Sequence, residues 1–314
     1  MSAVKDLEIN LAERGIFSLN FDDPRFPNLL KKIPQPPKKI YFMGDISSLE
    51  ESSNLGIVGA RKAALDSKHL LNTLIKDIAK FKPCIVSGGA TGIDMTAHVA
   101  ALENSLATII VLGSGILSSK FDLNSFFIKK LRENPKSLII SEFEPLMHAE
   151  RWTFAYRNRL IAALSQSLLV VQAAKSSGSL ITADYALKYK KNLYTLDITG
   201  DLFSGNQDLI NSGKASPIKS STELISILSK EEPLEENENK KMAVPLASYQ
   251  IAKAKNTKNL YSDILDLLGS NICSFDYLQS SLEYDAKELG SILSKMEIKG
   301  IIYRNNQGNF LKTS

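Results

Sequence analysis

The residues of this chain best suited to chemistry fall in four short clusters: Gly59-Ala60-Arg61, Ser87-Gly88-Gly89-Ala90-Thr91-Gly92, Gly113-Ser114-Gly115 and Ser176-Ser177-Gly178-Ser179. Each follows an apolar, strand-like run. Glycine lets a backbone come close to a ligand, and helix N-termini present N–H groups with partial positive charge, so such loops suit phosphate. One loop of this kind says little, because any tight strand-to-helix turn favours glycine. Four in one order point to a shared ligand edge. Beside them, Phe154-Ala155-Tyr156-Arg157-Asn158-Arg159 combines two arginines with two aromatic rings. Arginine clamps phosphate with a bidentate fork or stacks on a base, and an aromatic ring seats a base at roughly 1–3 kcal/mol. That combination favours unpaired nucleic acid over duplex.

Other chemistries find less support. A dinucleotide site wants G-x-G-x-x-G after its first strand, and Gly56 and Gly59 have the wrong spacing. Gly213-Lys214-Ala215 lacks the hydroxyl that a Walker loop needs for magnesium, and it reads as a turn. Asp94 and His98, spaced i, i+4, would share a helix face, either as an acid/base pair or as capping and packing residues. No G-x-S-x-G elbow or metal-ligand cluster occurs, and His69 and His148 have no recognisable partners. Cys84 and Cys273 lie far apart and read as inert thiols in a reducing cytoplasm. The expectation is no cofactor and no metal.

The elements that must position these loops alternate along the chain. Strand candidates are Leu55 to Val58, Cys84 to Ser87, Thr108 to Leu112, Leu138 to Ser141, Leu168 to Gln172 and Asn192 to Leu196. Helical patterns cover Ala64 to Lys80, Asp94 to Glu103, Leu123 to Glu133, Arg157 to Leu164 and Ile181 to Tyr189. This alternation predicts a parallel sheet covered on both faces, with the four loops along its carboxyl edge. Residues 1–45 read as a lead-in, a helix over Val4 to Arg14 and then a Pro-punctuated extended stretch. The α/β domain spans 46–229. The acidic and then lysine-containing segment 230–258 cannot bury a core and reads as a flexible linker. Residues 259–314 pattern as three short helices (Leu260 to Leu268, Phe275 to Leu282, Asp285 to Met296) and a small hairpin, which predicts a winged helix.

Composition agrees with a globular protein: 314 residues, 44% hydrophobic, 23% charged. No apolar run is long enough to span a membrane, and the N-terminus shows no leader-like apolar region, so neither a membrane role nor secretion is expected. The net charge of +4 is small but uneven, since residues 151–200 hold seven Lys/Arg and only two acids. That window contains Arg157, Arg159 and Lys175.

These motifs together resemble the DprA/Smf family, the DNA-processing proteins of natural transformation. The resemblance begins at Asp22-Asp23-Pro24-Arg25-Phe26-Pro27 with Leu29-Leu30 and Pro36-Pro37. It continues through Ile57 to Arg61, Ser87 to Asp94 with Ala97-His98, Val111 to Gly115, Ser141-Glu142-Phe143, Phe154 to Arg159 and Ser177 to Ala183. It implies an extended Rossmann fold that binds single-stranded DNA in a basic pocket, dimerises, and hands the strand to RecA while displacing single-strand-binding protein, without enzymatic activity. Carried onto this chain, Arg61 contacts backbone phosphate. The backbone of Gly59, Ser87, Gly88, Gly89, Thr91 and Gly92 and of Gly113, Ser114 and Gly115 lines the pocket. Phe154, Arg157, Asn158 and Arg159 border it, and Lys175, Ser177, Gly178, Ser179 and Thr182 close the phosphate-binding edge.

The chain departs from the family pattern at several points. Thr91 and Ser176 stand where a basic residue is usual, Gln172 stands for Glu, Asp197-Ile198 for Pro-Gly, and Lys120-Phe121 for Tyr-Pro. Fewer phosphate contacts weaken binding and its salt dependence. Two alternatives follow: a nucleotide-processing enzyme of the phosphoribohydrolase type using Asp94 and Glu142, or an interaction protein whose DNA pocket has decayed. The third C-terminal helix carries no excess of cations, which predicts protein contact or packing there.

Overall fold

The computed structural model describes residues 11–46, 49, 53–118 and 126–231, and in the C-terminal part 264–265, 267–268, 273–282, 286–298, 301–305 and 309–312. By contact the chain divides into two compact units, Met1–Tyr249 and Gln250–Ser314.

In the first unit, β1 (Phe17–Asn20) and β2 (Lys39–Gly44) precede the alternating series. The series begins with β3 (Asn54–Val58), α1 (Leu65–Ile78), β4 (Cys84–Gly88), α2 (Ile93–Glu103) and β5 (Thr108–Val111). It continues through α3 (Phe126–Glu133), β6 (Leu138–Ser141), α4 (Arg151–Leu164), β7 (Ser167–Val170) and α5 (Ser179–Lys188). It ends with β8 (Asn192–Leu196), α6 (Ser204–Asn211), β9 (Ser216–Ile218) and α7 (Ser221–Glu231).

The strands form one sheet in the order β1-β2-β6-β5-β4-β3-β7-β8-β9. From β6 to β9 all pairings are parallel. This is the doubly wound α/β architecture expected, with its topological switch between β3 and β7. Central strands such as β3, β4 and β5 are buried along their whole length, as the unbroken apolar runs require when helices cover both faces. In α1 the buried Leu70, Leu71, Leu74, Ile75 and Ile78 recur at helical spacing, and each contributes about 1.5–3 kcal/mol by leaving water. Separate apolar cores fill the two faces of the sheet.

Three features differ from the sequence reading. The Pro-punctuated lead-in supplies two strands: β2 pairs antiparallel with β6, and β1 with β2. β2 carries the continuous apolar run Ile40-Tyr41-Phe42-Met43, buried throughout, so it extends the sheet. Secondly, α4 begins at Arg151, six residues before the expected start. Its first turn is fixed by a reciprocal cap in which Thr153 Oγ1 accepts from the Glu150 amide and the Glu150 side chain accepts from the Thr153 amide. Thirdly, α6, β9 and α7 add a further crossover. Gly213-Lys214-Ala215 forms the turn after α6. Cys84 is fully buried, and burial pushes its thiol up to about 12, in keeping with inertness.

In the second unit, α8 (Phe275–Leu282), α9 (Ala286–Ile298) and the antiparallel ribbon β10 (Ile302–Arg304) and β11 (Phe310–Lys312) enclose a small core including Leu278, Leu289, Leu293 and Phe310. Ile264, Leu265, Leu267 and Leu268 are helical, while the rest of the helix read over 260–268 lies outside the described residues. So do most of the linker 230–258, residues 123–125 of the helix read before Glu133, and residues 1–10.

Candidate functional site

A cavity of about 530 Å³ opens at the carboxyl ends of β3, β4 and β5. Of the residues singled out in the sequence, Arg61, Gly89, Thr91, Gly113, Ser114, Phe154 and Arg157 line it. Three of the four loops thus meet as expected, and α4 closes the remaining side.

The loops hold each other in place. The amide of Ile93 donates to the Ala60 carbonyl at 3.2 Å, and the Ala60 amide donates to the Gln172 carbonyl at 2.8 Å. Gly92 sits where these backbones touch. Its φ is +86°, and a Cβ there would run into the carbonyl oxygens of Ala60 and Arg61, so only glycine fits. Gln172 accepts from the Ala64 amide at 3.0 Å and steadies the loop bearing Arg61. Ser87 lies below the cavity and donates from Oγ to the Ile57 carbonyl at 2.5 Å. Gly59, Gly88 and Gly115 likewise belong to these loops without lining the cavity.

The cavity owes its positive character to side chains more than to a helix end, because the Ile93 and Met95 amides of α2 already donate to Ala60 and Ala90. The exposed Arg61 guanidinium stands 4.6 Å over the Phe154 ring. That of Arg157 lies 5.9 Å from the same ring centroid. Arg157 is only 3% exposed and its Nη1 donates to the Val111 carbonyl, so it is a fixed charge in the wall. Of the two, Arg61 is the exposed one.

Beneath the wall lies a buried polar group. A Cβ on Gly88 would meet Asp94 Oδ2 at 2.5 Å and Arg157 Nη1 at 2.6 Å, so the missing side chain leaves room for the two to approach. Burial pushes the Asp94 carboxyl up to about 7, against the opposing pull chiefly of the Arg157 guanidinium. His98 is fully buried, and burial lowers it to about 3. Thr108 gives its hydroxyl proton to the Ile85 carbonyl, so its oxygen accepts from His98 Nδ1, at 2.7 Å. Neither Asp94 nor His98 lines the cavity.

Arg159 does not border the cavity. It is 1% exposed and makes a bidentate pair with Glu142, at 2.7 and 2.5 Å, while its guanidinium packs 3.9 Å from the Tyr156 centroid. Two residues along a helix turn a side chain by more than half a revolution, so Arg157 and Arg159 face different ways. The pairing also occupies Glu142, the second carboxylate an enzymatic reading would use.

The fourth loop does not join the cavity either. Ser177 and Ser179 share a hydrogen bond at 2.7 Å, Asn158 Nδ2 donates to the Gly178 carbonyl at 3.2 Å, and Lys175 pairs with Asp208 at 3.4 Å. Thr182 is buried in α5. Sequence reasoning overlooked Met95, Leu112, Ser118, His148 and Ala149 in the lining. His148 does have a partner, sharing a 2.7 Å hydrogen bond with Ser118 thirty positions away, a pairing that no spacing rule reveals.

Comparison with known proteins places this geometry. The family model for DNA recombination-mediator protein A matches residues 18–229. DNA processing protein DprA of Bacillus subtilis is 33% identical over 191 residues, covering 61% of this chain and 63% of that protein. Protein Smf of Synechocystis is 34% identical over 212 residues, covering 66% and 52%. The chain therefore spans less than two thirds of the length of these relatives. Among solved structures, DNA processing protein A of Helicobacter pylori, described with a single-stranded DNA binding mode, superposes with a TM-score of 0.59 at 31% identity. That match covers 69% of this chain and 96% of the other. DprA of Streptococcus pneumoniae gives a TM-score of 0.61 at 28% identity, covering 69% and 77%.

Proposed function

This chain belongs to the DNA recombination-mediator protein A family, the DprA/Smf proteins, and from that premise we propose that it binds single-stranded DNA in the cavity at β3–β5. The observation that carries the reading is Arg61 held 4.6 Å over Phe154 beside the fixed charge of Arg157, in an open cavity of about 530 Å³. An aromatic face takes a base of any sequence, and the guanidinium groups take its phosphates. Thr91 lines the same wall where a cation is usual, so Arg61 bears more of the phosphate contact.

Family membership further supports handing of the strand to RecA, displacement of single-strand-binding protein, a homodimer and a cytoplasmic location. No helix among the described residues is long and apolar enough to cross a membrane. The protein performs no covalent chemistry on the strand in this reading, in accord with Asp94 and His98 lying off the cavity wall and Glu142 being tied to Arg159. The C-terminal unit is a winged helix that serves protein contact.

Fluorescence anisotropy with labelled oligonucleotides tests the central part. Single strands should bind more tightly than duplex of the same sequence; equal affinity for the two would remove the reading.

A further inference from the structure

Outside the cavity, α4 carries an aromatic surface that the reading above leaves unused. Trp152, the sole tryptophan of the chain, is 52% exposed, and Tyr156 one turn on is 36% exposed. Their ring centroids are 6.3 Å apart. Neither ring is loose. Trp152 packs edge-on against Phe143 at 5.9 Å, and its Nε1 donates to Glu150 at 2.7 Å. Tyr156 rests on the guanidinium of Arg159, which Glu142 fixes in turn. A large exposed apolar ring braced by its neighbours costs little entropy when a flat partner stacks on it.

The surface continues beyond Tyr156. The neighbouring α5 packs along α4 and carries Tyr185, whose ring centroid lies 5.9 Å from that of Tyr189 just past the end of the helix. Exposed cations flank the row: Arg151 at the start of α4, and Lys188 and Lys190 where α5 ends, against Glu150 and Asp184. At its upper end Trp152 stands in the first turn of α4, three residues after Ala149, which lines the cavity.

We propose that Trp152 and Tyr156 form a second stacking surface, which takes the bases of the single strand as it leaves the cavity and runs down α4 toward α5. Arg151, Lys188 and Lys190 meet its phosphates. The inference rests on the cavity binding single-stranded DNA, and it adds a direction of exit and a longer footprint. An unpaired polynucleotide is the occupant that the features favour together, because it alone presents flat apolar faces and regularly spaced negative charge.

Trp152 supplies its own probe. Its emission should be quenched saturably by oligothymidylate of about 16 nucleotides, and hardly at all by one of about 4 nucleotides that fills only the cavity. Trp152→Ala and Tyr156→Ala should each lower affinity for the longer oligomer about tenfold and leave the shorter one unchanged, whereas Arg61→Ala weakens both. Unchanged emission while anisotropy reports binding, or equal quenching by both lengths, would overturn the second surface and leave the cavity standing. Emission that shifts with protein concentration alone would assign the face to self-association. Failure of both lengths to bind would overturn both readings.

Discussion

Arg157 and Arg159 lie two residues apart on α4, both buried, yet they belong to regions with opposite roles. Around Arg157 the wall is open: a second guanidinium, an aromatic ring and a cavity share one surface. Around Arg159 the guanidinium is turned inward: Nη1 and Nη2 donate to Glu142, and its plane packs against the Tyr156 ring. The loop after β7 follows the second pattern, since its serines bond to each other and its lysine to Asp208. The strand-end loops therefore differ in kind: one set leaves open volume beside an exposed arginine, and the other spends its polar groups on contacts of its own.

The largest effect should come from the closed region. Arg159→Ala strands Glu142 as a buried, unpartnered carboxylate and should cost about 3–5 kcal/mol in chemical denaturation, with the folded fraction still binding single strands. Retained stability would mean the pair is not the joint described.

Next in size is Phe154→Ala, which removes the proposed base platform. A loss of roughly 1–3 kcal/mol in single-strand affinity with unchanged unfolding is expected, and unaltered affinity would show that bases do not rest there.

A smaller effect links the two through Asp94. With its carboxyl at about 7, Asp94 is neutral below that pH and negative above, where it opposes phosphate near Arg157. Affinity should therefore rise a few-fold from pH 8 to pH 6, a change of about 1 kcal/mol or less, and Asp94→Asn should flatten the profile. Folding responds too. Because the carboxyl rises from 3.8 to about 7 on folding, its contribution is full below 3.8 and is lost as pH rises toward 7. His98, lowered from 6.5 to about 3, acts oppositely, its contribution present above 6.5 and lost as pH falls.

The smallest change should come from the loop after β7. Lys175→Ala breaks only an exposed pair and should alter affinity by less than about twofold, seen by anisotropy. A larger loss would bring that loop back into the site.

Much of this was legible in the sequence, for identifiable reasons. The parallel strands announce themselves as unbroken apolar runs, and the loops that meet at the cavity as glycines placed after them. What escaped depends on distant pairings. The partner of Arg159 lies at Glu142, that of His148 at Ser118, and Met95 and Leu112 reach the cavity because of where α2 starts and β5 ends. The first half of α4 was missed because its aromatic and polar residues lack helical apolar spacing, and its cap runs Glu-to-Thr in place of the usual order. β2 was hidden by the prolines before it.

The central claim is that Arg61 meets a backbone phosphate of a single strand. The most direct test is the dependence of binding on salt, measured for the native protein and Arg61→Ala on one oligonucleotide. Losing one phosphate contact on a single strand should lower affinity and reduce the slope of log K against log salt by about 0.7. An identical slope and affinity in the two proteins would contradict it.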